Sequence, residues 1–105
     1  MKISKTGDLS MEARSRCFEA RQLLSEGALL LDVRTVGEFN KGALDGATNV
    51  PLNTLKQSSL GVPANSPILI YCVSGVLSSE AKNHLEEKGH RNVYDLGSYK
   101  ELKNC

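Results

Sequence analysis

The stretch Pro67-Ile68-Leu69-Ile70-Tyr71-Cys72-Val73-Ser74-Gly75-Val76-Leu77-Ser78 changes character halfway. Its first half is β-branched, apolar and aromatic, and reads as a strand. Beyond it the apolar period lengthens: Leu77, Ala81 and Leu85 recur at i, i+4 and i+8, the spacing of one helix face. The helix is expected to run to about Lys88 and to stop at Gly89. Ser74 and Gly75 permit a tight turn between the two, Gly75 because it tolerates positive φ. A buried strand therefore hands the chain through a short loop to a helix, with Cys72 at the junction.

Working outward, the same alternation recurs. A helix is expected from about Met11 to Ser25, capped by Ser10, with Glu12 placing negative charge in its first turn. Ala13, Cys17, Ala20 and Leu24 share one face of it, and Gly27 ends it. Ala28-Leu29-Leu30-Leu31-Asp32-Val33 is short, apolar and non-alternating, as a strand covered on both faces should be. Thr35-Val36-Gly37-Glu38 has the spacing of a capping box and predicts a short helix, closed by Gly42. Gly46-Ala47-Thr48-Asn49-Val50-Pro51 reads as a second short strand. The segment 52–64 holds a short helix or loop with a turn at Gly61 and Pro63. Asn92-Val93-Tyr94-Asp95-Leu96 is the last strand, followed after Gly97 by a short helical tail. Strands alternating with helices predict an α/β fold, a small, mostly parallel β-sheet flanked by helices on both faces. In such sheets ligands bind beyond the carboxyl ends of the strands, where Cys72 lies.

The 105 residues suit one domain spanning 1–105, and the chain shows no internal repeat. A net charge of +1 argues against nucleic acid or an anionic membrane as the main partner. No apolar run approaches the roughly 20 residues of a membrane helix. The first residues lack the apolar stretch of a signal peptide, so a cytoplasmic address is expected. Three cysteines, widely spaced, imply no disulfide framework. No CxxC or Cys/His cluster suggests zinc, and no cofactor or metal is expected.

The Cys72 loop has a definite physical capability. The first N–H groups of the following helix lack intrahelical partners and point back toward the loop. Successive loop N–H groups can converge in the same way, forming an anion-binding nest. A sulfur held there is stabilised as thiolate or persulfide, and the thiolate is the nucleophile. From spacing alone a second reading stands level with this one: a small apolar residue at a strand end.

The motifs around this loop resemble a known family. Asp32-Val33-Arg34 with Glu38-Phe39 is similar to a signature of rhodanese-like domains. Gly42-Ala43-Leu44-Asp45-Gly46-Ala47-Thr48-Asn49-Val50-Pro51-Leu52 resembles that family's next segment. Ile68–Cys72 with Gly75 resembles its active-site strand and loop, and 92–97 its closing strand. The resemblance implies that Cys72 is catalytic: it accepts a sulfane sulfur from a small donor, thiosulfate or a persulfide, and passes it to a thiol, cyanide or an acceptor protein. Val73, Ser74, Gly75, Val76, Leu77 and Ser78 are then the substrate-binding loop. The loop's six residues from Cys72 to Leu77 match the length such domains use for sulfur, one fewer than related phosphatases. Many members carry arginine where this chain has Leu77, and often a basic residue at Val73. Weak activity with thiosulfate follows, because no fixed cation faces the anion. Ala43 stands where the family often has histidine, read as a structural position.

The alternatives differ in class. An apolar loop suits a catalytically degenerate domain that binds a partner protein. A phosphatase or arsenate reductase is disfavoured, since the loop lacks Lys and Arg. Asp32 is expected to cap loop N–H groups, and Arg34 to pair with Glu38. Cys17 is expected in the core and Cys105 at an exposed terminus. His84 and His90 follow the loop by at least two helical turns, too far to serve Cys72 as a base.

Overall fold

The computed structural model describes residues 11–103, with side chains from Ser15 onward. The expected cap at Ser10, the side chains of Glu12 and Ala13, and Cys105 lie outside the described residues. The elements run α1 (Met11–Ser25), β1 (Leu29–Asp32), α2 (Val36–Asn40), β2 (Thr48–Asn49), α3 (Leu52–Gln57), β3 (Ile68–Cys72), α4 (Val76–Glu87), β4 (Val93–Ser98) and α5 (Tyr99–Leu102). The strands form one sheet in the order β2-β1-β3-β4. Every pairing is parallel, where the sequence predicts a mostly parallel sheet. Among the described residues no helix is long and apolar enough to cross a membrane.

The unbroken apolar runs of β1 and β3 are explained by the layers on each side. Leu31, Val33, Ile68, Ile70 and Cys72 pack into one core with Leu52 and Leu55 of α3 and Ala81 and Leu85 of α4. The intervening Leu30, Leu69 and Tyr71 pack into a second core with Ala20 of α1 and Leu102 of α5. Strand side chains alternate between faces, so a sheet covered on both needs apolar residues at consecutive positions. Cys17 and Ala20 are buried as the helix face predicts, and Leu24 packs against the second core.

Two expectations about local structure are corrected. The last strand continues past Leu96 to Ser98. Ile70 pairs with Asp95 but Tyr71 with Gly97, so Leu96 is the extra residue of a bulge. Gly97 takes a φ of 85°, and its N–H donates to Asp95 Oδ1 at 2.9 Å. The glycine that reads as a strand terminator is the residue that lets the strand bend and go on. The inner stripe of α4 also differs at its first position. Ser78, Ala81 and Leu85 are buried, whereas Leu77 is exposed at the mouth of the helix.

The carboxyl ends of the strands are tied by a buried ion pair. Arg34 does not pair with Glu38. Its Nη2 donates to Asp32 Oδ2 and to Gly42 O, each at 2.6 Å. Glu38 instead completes the predicted capping box with Thr35. The Arg34 guanidinium lies 4.3 Å from the Tyr99 ring centroid and 5.5 Å from that of Tyr71. The hydrogen bond to Asp32 outweighs the cost of burial and holds the guanidinium charged. Asp32 also meets the expectation of capping, since Oδ1 accepts the Arg34 N–H at 2.9 Å. Asp32→Asn leaves Arg34 buried without its counter-charge. Its expected cost is about 3–5 kcal/mol, read as a lower urea midpoint at unchanged m value; a midpoint equal to wild type would show the pair to be dispensable.

Candidate active-site loop

Cys72 is the last residue of β3, a strand without an exposed residue, and its side chain is 1% exposed. The chain then reverses through Val73, Ser74 and Gly75. Gly75 is the N-cap of α4 with φ 95°, a left-handed conformation that other residues adopt only at a cost. A glycine cap has no side chain to offer the first turn. The acceptor comes from Cys72. The Gly75 N–H donates to Sγ at 2.9 Å and the Ser78 N–H at 3.2 Å. The sulfur thus does for α4 what a Ser or Asp oxygen does at an ordinary N-cap.

One hydroxyl joins these donors. The Cys72 thiol donates to Ser78 Oγ at 3.5 Å, and that hydroxyl donates to Gly75 O at 3.2 Å. Ser78 is fully buried. The other loop side chains face out: Val76 is 68% exposed, Val73 49% and Leu77 38%. Ser74 is exposed too. The loop is therefore polar inside, where backbone N–H groups surround a sulfur, and apolar outside. No Lys or Arg stands in it.

Of the sequence-predicted residues, Gly75 and Ser78 meet the Cys72 sulfur, while Val73, Ser74, Val76 and Leu77 form the rim. The stripe Leu77, Ala81 and Leu85 puts Leu77 on the inner face of the helix, a place that Ser78 takes. The signal was present: Ser78 stands at i−3 from Ala81 and i−7 from Leu85, both helical spacings. His84 and His90 line a separate hollow with Lys56 and Lys88. Among the described residues no group of three or more His, Cys, Asp or Glu side chains could hold a metal ion.

Tyr71 braces the strand end from the other face. Its hydroxyl accepts the Leu44 N–H at 3.1 Å, and its ring stacks on Tyr99 with centroids 5.9 Å apart. Burial pushes the ionisation of this phenol well up, against the opposing effect of the Leu44 hydrogen bond, so the oxygen stays a neutral hydroxyl.

Because the sulfur is an acceptor for two helix-start amides, its removal has a structural cost. Cys72→Ala leaves the Gly75 and Ser78 N–H groups without it and is expected to destabilise the fold by about 1–3 kcal/mol. Cys72→Ser keeps an acceptor atom and should lose less. Equal urea midpoints for the two variants would mean that the sulfur does not cap α4.

Known proteins match this chain in sequence and in fold. A family model described as a rhodanese-like domain matches residues 18–105. The chain is 38% identical over 74 residues to the uncharacterized protein YqhL of Bacillus subtilis, covering 70% of this chain and 59% of the Bacillus protein. It is 32% identical over 74 residues to the thiosulfate sulfurtransferase PspE of Escherichia coli, covering 69% of this chain and 71% of that one. The structure of the human single-domain sulfurtransferase TSTD1 matches with a TM-score of 0.74 at 22% identity, over 95% of this chain and 97% of the human one, a likeness of fold.

Proposed function

The chain belongs to the rhodanese-like domain family, and from that premise we propose that it is a sulfurtransferase carrying a sulfane sulfur as a persulfide on Cys72. The single observation that supports this most is the convergence of the Gly75 and Ser78 N–H groups on the Cys72 sulfur. Oriented amides in a site without competing water stabilise a sulfur anion without a counter-ion. In the first half-reaction the Cys72 thiolate attacks the outer sulfur of the donor. A new S–S bond forms, and the donor's bond to that sulfur breaks with the electron pair on the leaving group. In the second, a thiol, cyanide or a thiol of an acceptor protein attacks the outer sulfur and releases the Cys72 thiolate. The sulfur passes on with no net oxidant.

Leu77 sets the donor preference. Thiosulfate is a dianion, and this loop meets it with backbone dipoles and an apolar rim. A persulfide donor, with less charge to place, suits the rim better. A second reading, a protein-binding module that no longer turns over, is favoured by the exposure of Val73, Val76 and Leu77. Full retention of the biological role by Cys72→Ser would support that module instead.

Intact-protein mass spectrometry after incubation with thiosulfate or an alkyl persulfide tests the carrier. Wild type should gain one sulfur atom at Cys72, more readily from the persulfide, and Cys72→Ser should gain none there. No gain from either donor would sink the proposal. Leu77→Arg adds a charge-assisted hydrogen bond to an oxyanionic donor and should raise kcat/KM with thiosulfate roughly tenfold. An arginine variant no better than wild type would refute this account of the rim.

A further inference from the structure

Ser78 has no chemical task in the scheme above, yet its hydroxyl is the polar side-chain group that touches the sulfur. Oγ lies 3.5 Å from Cys72 Sγ and 3.2 Å from Gly75 O, and the side chain is fully buried. A serine hydroxyl is both donor and acceptor, and its hydrogen swings about the Cβ–Oγ bond without displacing a heavy atom. We propose that the Ser78 hydroxyl reverses its hydrogen bond with the charge on Cys72, accepting from the thiol and donating to the sulfur anion. It thereby supplies a third donor in a loop whose Leu77 offers none. This rests on the reading of Cys72 as a sulfur carrier.

The swing leaves no buried group unpaired. Gly75 O, the present acceptor of the Ser78 hydroxyl, also accepts the Ser79 N–H at 3.2 Å. That second bond remains when the hydroxyl turns to the sulfur, so the usual cost of orphaning a carbonyl does not arise. Cys72 starts as a thiol when a persulfide anion R–S–S⁻ arrives, and its proton passes to the donor, leaving the Cys72 thiolate and R–S–SH. An S–S bond forms between Cys72 and the outer sulfur, and the donor's own S–S bond, between its R-bearing sulfur and that outer sulfur, breaks. The R–S group leaves with the electron pair and takes that proton as R–SH. Charge, atoms and electrons balance, and Cys72 ends as an anionic persulfide.

No charged side chain competes for this role among the described residues. The loop contains none. Asp32 and Arg34 at the end of β1 are paired with each other beside Tyr71. Asp95 of β4 accepts the Gly97 N–H. Glu80 of α4 pairs with Lys56 of α3.

The test compares Ser78→Ala, Ser78→Thr and Ser78→Val. Thr and Val are nearly isosteric, so packing effects cancel between them and only the hydroxyl differs. Cys72 is alkylated with iodoacetamide from mildly acidic to alkaline pH, and its labelling is read by peptide mass. The Ala and Val variants should label roughly tenfold more slowly than wild type at neutral pH. The deficit should close in alkali, where the thiol ionises unaided, and Thr should follow wild type. Superimposable pH profiles for Thr and Val would overturn the inference, as would a deficit that persists unchanged in alkali. Persulfide loading of wild type is measured separately. A labelling deficit without loading would refute the sulfur carrier and keep the hydroxyl, whereas loading with identical profiles would do the reverse.

Discussion

The Gly75 and Ser78 N–H groups take their acceptor from a side chain, the sulfur of Cys72. That interaction joins the end of β3 to the start of α4 and fixes the loop between them. Its origin is the glycine at the cap. A residue with a short polar side chain would satisfy the first turn of the helix by itself and leave the sulfur outside the arrangement. Glycine cannot, and its left-handed backbone turns the amides toward the strand end. The stability of the helix start and the environment of the thiol therefore rest on the same few atoms.

The neighbouring strand end is held by different means. Arg34 gathers Asp32, the carbonyl of Gly42 and the faces of two tyrosines. Asn49 Nδ2 adds bonds to the carbonyls of Asp32 and Arg34, at 2.9 and 3.0 Å, which bind the edge strand β2 to β1. This network lies on the Tyr71 face of the sheet, opposite Cys72. The guanidinium is engaged by the Asp32 carboxylate and the Gly42 carbonyl, so its charge serves the framework and not the sulfur.

Much of this was legible in the sequence, and the exceptions have physical causes. The unbroken apolar runs of β1 and β3 announced a sheet covered on both faces, because alternation is absent only when neither face meets water. The capping box at Thr35 and Glu38 was visible from spacing, since both partners lie in one local turn. The partner of Arg34 was not legible, because it stands two residues earlier at the end of β1 and not at Glu38 in the turn that follows. The extent of β4 was not legible from Gly97 alone, because a strand glycine often marks a bulge and only the register with β3 shows it. Ser78 stands in the expected sulfur-binding loop, but its burial was not legible, because the apolar spacing favours Leu77 for the inner face of α4. Whether a hydroxyl faces water or a buried sulfur depends on where the helix begins, and that is settled by contacts between distant segments.

The division of the loop into an inner backbone and an outer set of side chains separates two properties that most binding sites entangle. Amides are supplied by any sequence that keeps the turn, so the proposed holding of a sulfur anion would place demands on Gly75 and on the burial of Ser78, and few on positions 73, 76 and 77. Those positions are free to be rewritten. A lineage or a designer could exchange them to suit a different delivery molecule while the holding apparatus stays untouched. The loop is in this sense a socket with a replaceable face.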